Sequence, residues 1–389
     1  MPRSATALLD FQPVAQALPD VTAREPSDNS QRDIYGLLGI PIDVTTMKKV
    51  VDRIETAAAS AKPLLISTAN VNFLTTSRKD SEFRASLISS DLCTADGMPI
   101  VWLSRLLGIP IKDRVAGSDL FDVLKAVRPS QPLKVFLFGG AKGVAATAAE
   151  KINAQKGGIV CTGSFFPGFG DVEEMSTDAI IDTINASGAD CLVVALGAQK
   201  GHLWLRQNHD RLKIPIRAQL GATINFQAGT TRRAPLRLQK WGLEWLWRIK
   251  EEPKLWRRYL VDGTVLGRIM LTHVIPLLAL AQWHRLSLRE QDDFKIERSE
   301  GRDVIALSIS GVATTRNFRK AAHYLREAGS AEKNVVIDLA KTRQIDARFI
   351  GLLLVLQKRL KEKRRRMRLT SVTAPVKRQF RLNGFTFLL

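Results

Sequence analysis

An aspartate followed by glycine, Asp96-Gly97, stands directly after the short apolar run Leu92–Ala95. A carboxylate at a strand end, facing a crevice, can act as general base on a hydroxyl group. The glycine lets the backbone approach a ligand closely. Taken alone, the pair is first of all a turn. Similar junctions recur. Thr68-Ala69-Asn70 follows Leu64–Ser67, and Gly139-Gly140 ends Lys134–Phe138. Gly197-Ala198 ends Cys191–Leu196, with Lys200 and His202 just beyond, and Gly221-Ala222 ends Ile216–Leu220. Strand–glycine–helix junctions present backbone N–H groups where phosphate binds. They are equally tight turns, and neither a G-x-G-x-x-G nor a Walker sequence is present. His202, His209, His273, His284 and His323 show no metal-ligand spacing. Surface or packing positions are expected for all of them except His202. No Asp-x-Asp ends a strand. The expected chemistry therefore uses neither metal nor cofactor.

These junctions need a scaffold. Continuous apolar runs separated by helical patterns predict a parallel sheet covered on both faces. The result is an α/β, Rossmann-like domain over about residues 36–235. Ligands in such sheets sit beyond the carboxyl ends of the strands, so Thr68–Asn70, Asp96-Gly97, Gly139-Gly140, Gly197–Lys200 and Gly221–Thr223 are expected to converge on one crevice. Leu37–Ile42 reads as one short strand. Residues 1–35 hold Pro13, Pro19 and Pro26 and lack a basic start followed by an apolar run, so a mobile tail without a signal peptide is expected.

After Thr231 the character changes. Arg and Lys alternate with Trp241, Trp245, Trp247 and Trp256, and an apolar run from Ile269 to Ala281 follows. That run contains His273 and Pro276 and is shorter than the roughly 20 residues a membrane span needs. Residues 236–288 therefore read as a basic, helical, membrane-associated appendage rather than a span. Arg289–Arg302 reads as a polar linker, and 303–389 as a separate small α/β domain with strands Val304–Ile309 and Asn334–Leu339.

The 389 residues carry a net charge of +20, which favours anionic partners. Basic charge interleaved with tryptophan suits a nucleic-acid surface, a membrane-surface anchor or an ordinary amphipathic helix. The adjoining apolar run favours the membrane and sets nucleic acid aside. Cys93, Cys161 and Cys191 form no CxxC pair, as expected of a reducing compartment.

Taken in order, the motifs resemble the WecG/TagA/CpsF family of bacterial glycosyltransferases. The matching pieces begin with Gly39–Asp43, Thr68–Asn70, Ala95–Val101 and Arg114–Leu120. Phe136–Gly140, Leu196–Lys200, Gly229–Pro235 and Leu243–Arg248 complete them. The resemblance implies a metal-independent, inverting transfer of a sugar from a UDP-sugar donor to a polyprenyl-pyrophosphate-linked acceptor, in exopolysaccharide or surface-glycan synthesis. It places the catalytic base on Asp96 and puts Thr68 and Asn70 near sugar or acceptor. It puts Arg114, Arg233, Arg248 and Arg258 near substrate charge, the last two from a basic tail at the membrane. It also implies a cytoplasmic enzyme, peripheral on the inner face of the cell membrane. Where family members carry Pro-Lys-Gln-Glu, this chain has Gln199-Lys200-Gly201-His202, and His202 is the candidate substitute. That departure keeps open a catalytically lapsed scaffold of a polysaccharide assembly complex.

The C-terminal domain resembles STAS modules through Val335–Leu339 and Ile345–Gly351. Phosphorylated members carry Asp-Ser-Ser-Gly where this chain has Asp346-Ala347-Arg348-Phe349. The resemblance implies a protein-binding or regulatory module without a phosphorylation switch at that point.

Overall fold

The computed structural model describes residues 32–127, 131–287 and 294–389. Residues 1–31 of the expected tail, and 288–293 in and before the expected linker, lie outside the described residues. The described chain opens with an antiparallel hairpin, β1 (Ile34–Leu37) and β2 (Ile40–Asp43). Leu38 and Gly39 take φ values of 50° and 105°, as a two-residue hairpin turn requires. That turn splits what reads in sequence as one strand. Residues 32–35 are not tail either. Arg32 is buried and donates to both Asp43 carboxylate oxygens at 2.9 and 2.6 Å, and to the Ser90 carbonyl at 2.8 Å. Asp43 also accepts from the Cys93 N–H at 2.6 Å. This buried ion pair therefore fixes the strand that leads to Asp96.

Helices and strands then alternate. In order they are α1 (Met47–Ser60), β3 (Leu64–Ala69), α2 (Val71–Lys79), α3 (Ser81–Ile88) and β4 (Leu92–Ala95). Next come α4 (Met98–Leu106), α5 (Gly117–Ala126), β5 (Leu133–Gly139), α6 (Val144–Ala154) and β6 (Ile159–Phe165). The last are α7 (Asp178–Ala186), β7 (Cys191–Ala195), α8 (Ala198–Gln207), β8 (Ile216–Gln219) and α9 (Gly221–Ala228). The six strands β3 to β8 form one parallel sheet in the order β4-β3-β8-β7-β5-β6. Every residue of β3, β4 and β8 is buried, which is why β3 and β4 read as continuous apolar or small runs, whereas β8 buries Arg217 and Gln219 as well. β6, at the edge, is less covered and gives no such run.

The appendage comprises α10 (Leu236–Lys240), α11 (Glu244–Glu251), α12 (Trp256–Ile269), a π turn at Met270–Val274 and α13 (Ile275–Ser287). From Pro253 to Trp283 the chain is one helix of 31 residues, long and apolar enough to cross a membrane by length and composition. Little of its apolar stretch is buried. The expectation of a run too short to span is thus corrected. The helix passes Pro276 because the π turn re-routes the ladder just before it, with Ile275 N–H donating to the Met270 carbonyl. One buried aspartate ties this helix down. Asp262 accepts from the Thr75 hydroxyl at 2.6 Å and the Asn72 amide at 3.2 Å, both on α2.

The C-terminal domain holds β9 (Lys295–Glu300), β10 (Val304–Ala313), α14 (Phe318–Ser330), β11 (Asn334–Ile345), α15 (Ala347–Glu362), β12 (Met367–Thr370) and α16 (Ala374–Leu382). Its sheet runs β12-β11-β10-β9. β9 lies inside the expected linker. Only Ile296 of that strand is buried, so a charged edge strand is indistinguishable from linker by composition.

The two domains dock through the N-terminal hairpin. A Cβ on Gly36 would lie 2.6 Å from Ile350, and one on Gly384 would lie 2.6 Å from the Leu38 carbonyl carbon. Arg348 donates to the Ile34 carbonyl at 3.2 Å and pairs with Asp33. Lys358 makes a buried ion pair with Asp91, whose other oxygen accepts from Leu65 N–H at 2.8 Å. Removing one partner of a buried pair strands the other charge. Lys358→Met is therefore expected to cost about 3–5 kcal/mol, read as a lower urea midpoint. An unchanged midpoint would show that the pair contributes nothing to the docking.

Candidate active site

Asp96 follows β4, its backbone N–H bonded to the Ala69 carbonyl at the end of β3 (2.8 Å). Gly97, at φ 102°, turns the chain into α4. Burial pushes the Asp96 carboxyl up to about 6. Glu244 pushes in the same direction, while Arg114, Arg248 and a hydrogen bond from the Gly117 N–H pull it back. Gly117 is the first residue of α5, so the start of that helix faces the carboxylate. A Cβ there would lie 2.5 Å from a Leu220 methyl and 3.3 Å from the Thr68 hydroxyl, so any larger residue would displace them. The ends of β3 and β8 and the start of α5 therefore meet beside Asp96.

The other strand ends adjoin them. Gly139, at φ 104°, packs against Ala195, and Gly140 donates to the Ala195 carbonyl at 2.9 Å. Gly197 caps α8 and Gly221 opens α9. Ala198 is the first residue of α8, so N–H groups at helix starts surround the carboxyl end of the sheet. Asn70 caps α2 by accepting from Phe73 N–H at 3.2 Å. Among the described residues no group of His, Cys, Asp and Glu is arranged to hold a metal ion.

The arginines divide by role. Arg114 donates to Glu244 at 2.8 Å, Asp119 at 2.6 Å and Gln239 at 3.1 Å. Arg233 pairs with Asp119 and, at 2.8 Å, with Asp122. Both guanidiniums hold α10 and α11 against α5, and Arg114 acts on Asp96 electrostatically as well. Arg248 is different. It lies on α11, 5.2 Å from the Phe226 ring of α9, and acts on Asp96 electrostatically. Among the described residues it has no carboxylate partner. Arg258 is exposed over Tyr259 and is not among the charges acting on Asp96. Lys200 donates to the Gly170 carbonyl at 2.6 Å and so holds the loop after β6.

His202 departs from its expected place at the site. It is 1% exposed and sits edge-on between Phe73 and Phe83, with ring centroids at 5.1 and 5.6 Å. Burial pushes its pKa down to about 3. It is a neutral core residue and cannot replace a substrate contact. Asp119, Gln239 and Glu244 were missed as site-building residues. Asp119 and Glu244 are polar residues inside motifs dominated by glycine and arginine, and Gln239 lies between two motifs.

Residues 35–277 match the family described as glycosyl transferase WecG/TagA/CpsF, and residues 296–389 match that described as Mlab, STAS domain. A Bacillus spizizenii N-acetylglucosaminyldiphosphoundecaprenol N-acetyl-beta-D-mannosaminyltransferase is 30% identical over 199 residues, 51% of this chain and 76% of its own length. A Staphylococcus aureus protein of the same name is 28% identical over 254 residues, 64% of this chain and 92% of its own.

The raised Asp96 pKa has a thermodynamic consequence. Between about pH 4 and pH 6 the folded protein binds more protons at this site than the unfolded chain. The contribution of Asp96 to stability is therefore most favourable below about pH 4 and falls as pH rises through about 6. Asp96→Asn should flatten that slope and raise stability at neutral pH by up to about 3 kcal/mol. Thermal unfolding of both proteins across this range checks it, and an Asn variant no more stable than wild type at neutral pH would contradict it.

Proposed function

The chain belongs to the WecG/TagA/CpsF family of glycosyl transferases, and from that premise we propose that it moves a sugar from a UDP-sugar to a polyprenyl-pyrophosphate-linked acceptor at a membrane surface. The protein is a glycosyltransferase. Its donor, its acceptor and its place on the inner face of the cell membrane form the proposal. One observation carries it. The helix that brings Arg248 to Asp96 belongs to an appendage whose outer side is apolar, with Trp241, Leu246, Trp256 and Leu260 exposed at 65, 46, 49 and 58%. A site completed by such an element suits a substrate held in a bilayer, with tryptophan at headgroup level and arginine near anionic lipid.

In this reading Asp96 takes the proton from the acceptor hydroxyl. That oxygen attacks the anomeric carbon from the face opposite the nucleotide, the C1–O bond to the diphosphate breaks, and UDP leaves with the bonding pair. A base whose pKa lies near the working pH combines the correct charge state with proton affinity. Arg248 and the helix starts at Ala198 and Gly221 meet the charge that develops on the diphosphate. The reading requires no divalent cation. The relatives act, by name, on N-acetylglucosaminyldiphosphoundecaprenol, which makes it the first acceptor to assay against a panel of UDP-sugars in EDTA.

Asp96→Asn is expected to lower kcat by about 10²–10⁴-fold while UDP binding persists. Arg248→Gln should cost about a hundredfold. The wild-type rate should climb with pH through about 6. Full activity of a folded Asn variant would remove Asp96 from the mechanism, and loss of all transfer in EDTA would overturn the metal-independent reading.

A further inference from the structure

Away from Asp96, three parts of the molecule meet around a cavity of about 400 Å³. Helix α2 contributes Ser77 and Arg78, and α3 contributes Arg84. The long apolar helix contributes His273, and the STAS domain contributes Arg381 and Thr386. Helix α2 starts beside the active site at Asn70 and carries Arg78 in its last turn. At 1.5 Å per residue the cavity therefore lies roughly 12 Å further along that helix.

Each arginine alone has an ordinary explanation. Arg78 and Arg381 occupy last turns of helices, where a cation is favourable. Their convergence is not explained that way. Arg78 donates to His273 Nε2 at 2.8 Å and to the Leu38 carbonyl at 3.4 Å. Arg84 donates to the Ser77 carbonyl at 3.0 Å and lies 4.4 Å from the Phe387 ring centroid. Among the described residues no carboxylate bonds to Arg78, Arg84 or Arg381. Asp80 acts on Arg84 from a distance, but its oxygens are held by the N–H groups of Glu82 and Phe83 and by Gln199. Burial, together with the nearby Arg268, pushes the Arg78 guanidinium below its ordinary value. The cavity gathers cationic donors to which no carboxylate of the described residues is bonded, with Asp80 acting on Arg84 only from a distance.

We infer that this cavity is a second binding site, for a phosphate-bearing anion distinct from the substrates of sugar transfer. Guanidinium groups match phosphate oxygens with paired hydrogen bonds, and the volume leaves room for an ester group. His273 shares its helix with Leu271 and Ile275, which are 68 and 51% exposed. Two sources share this chemistry: the headgroup of an anionic phospholipid at the membrane surface, and a soluble phosphate ester. Either would bridge the catalytic domain, the apolar helix and the STAS domain.

The test uses full-length protein and three variants. Arg381→Gln removes a cavity cation that is exposed and outside the transfer machinery, and Arg381→Lys restores the charge. Arg378→Gln removes an exposed arginine of the same helix that does not line the cavity. One arm measures the thermal shift with inorganic pyrophosphate at matched ionic strength. The other measures flotation with phosphatidylglycerol–phosphatidylcholine vesicles. In at least one arm Arg381→Gln should bind about tenfold more weakly than wild type, with Arg381→Lys partly restored and Arg378→Gln close to wild type. A difference with pyrophosphate identifies a soluble ester, and one confined to vesicles identifies the lipid headgroup. Equal binding by wild type and Arg381→Gln in both arms, or equal losses in Arg381→Gln and Arg378→Gln, would overturn the inference.

Discussion

Arg114 is the joint on which the site depends. Its guanidinium bonds Asp119 on α5 and Glu244 on α11 at once, and Asp119 is shared with Arg233. Half-buried networks of this kind hold their members in one arrangement, because breaking any pair strands a charge. The consequence reaches beyond the pair. With Glu244 held, α11 lies over α9 and Arg248 comes within electrostatic range of Asp96. Without it, the carboxylate would lose both the neighbour that raises its pKa and the cation that tempers the rise. The appendage thus forms part of the surroundings of Asp96.

The same appendage carries the exposed tryptophans and leucines and continues into the long apolar helix, which Asp262 pins to α2. Helix α2 in turn is capped by Asn70, next to Ala69, whose carbonyl accepts from the Asp96 N–H. The exposed apolar surface of the appendage and the surroundings of Asp96 are therefore mechanically connected through two helices. The STAS domain is connected too. Arg348, which stands where phosphorylated modules carry serine, is turned inward onto Asp33, the Ile34 carbonyl and the rings of Tyr35 and Phe318. That part of the STAS domain is engaged by the chain's own hairpin.

Much of this was legible in the sequence for a physical reason. Asp96 and the glycine junctions sit at strand ends, and strand ends announce themselves through apolar runs that stop at residues with special backbone freedom. Gly97, Gly139, Gly140 and Gly197 all take positive φ. What the sequence did not disclose was who pairs with whom. Arg114 and Arg233 look alike as free cations and as ion-pair hubs until carboxylates distant in the chain are placed beside them. His202 looked like a site residue because it follows a glycine loop, but helix α8 turns it into the core. The hairpin, edge strand β9 and the full length of the apolar helix were hidden by local composition. The Leu-Gly turn reads as the middle of one strand, while a charged edge and an intrahelical proline each read as an interruption.

This assembly holds the Asp96 carboxyl poised close to neutrality. Carboxyl-carbon NMR of the wild-type protein, with Asp96→Asn used to assign the resonance, measures it directly. The account predicts a titration midpoint near pH 6 for Asp96. A midpoint in the ordinary aspartate range, near pH 4, would contradict it.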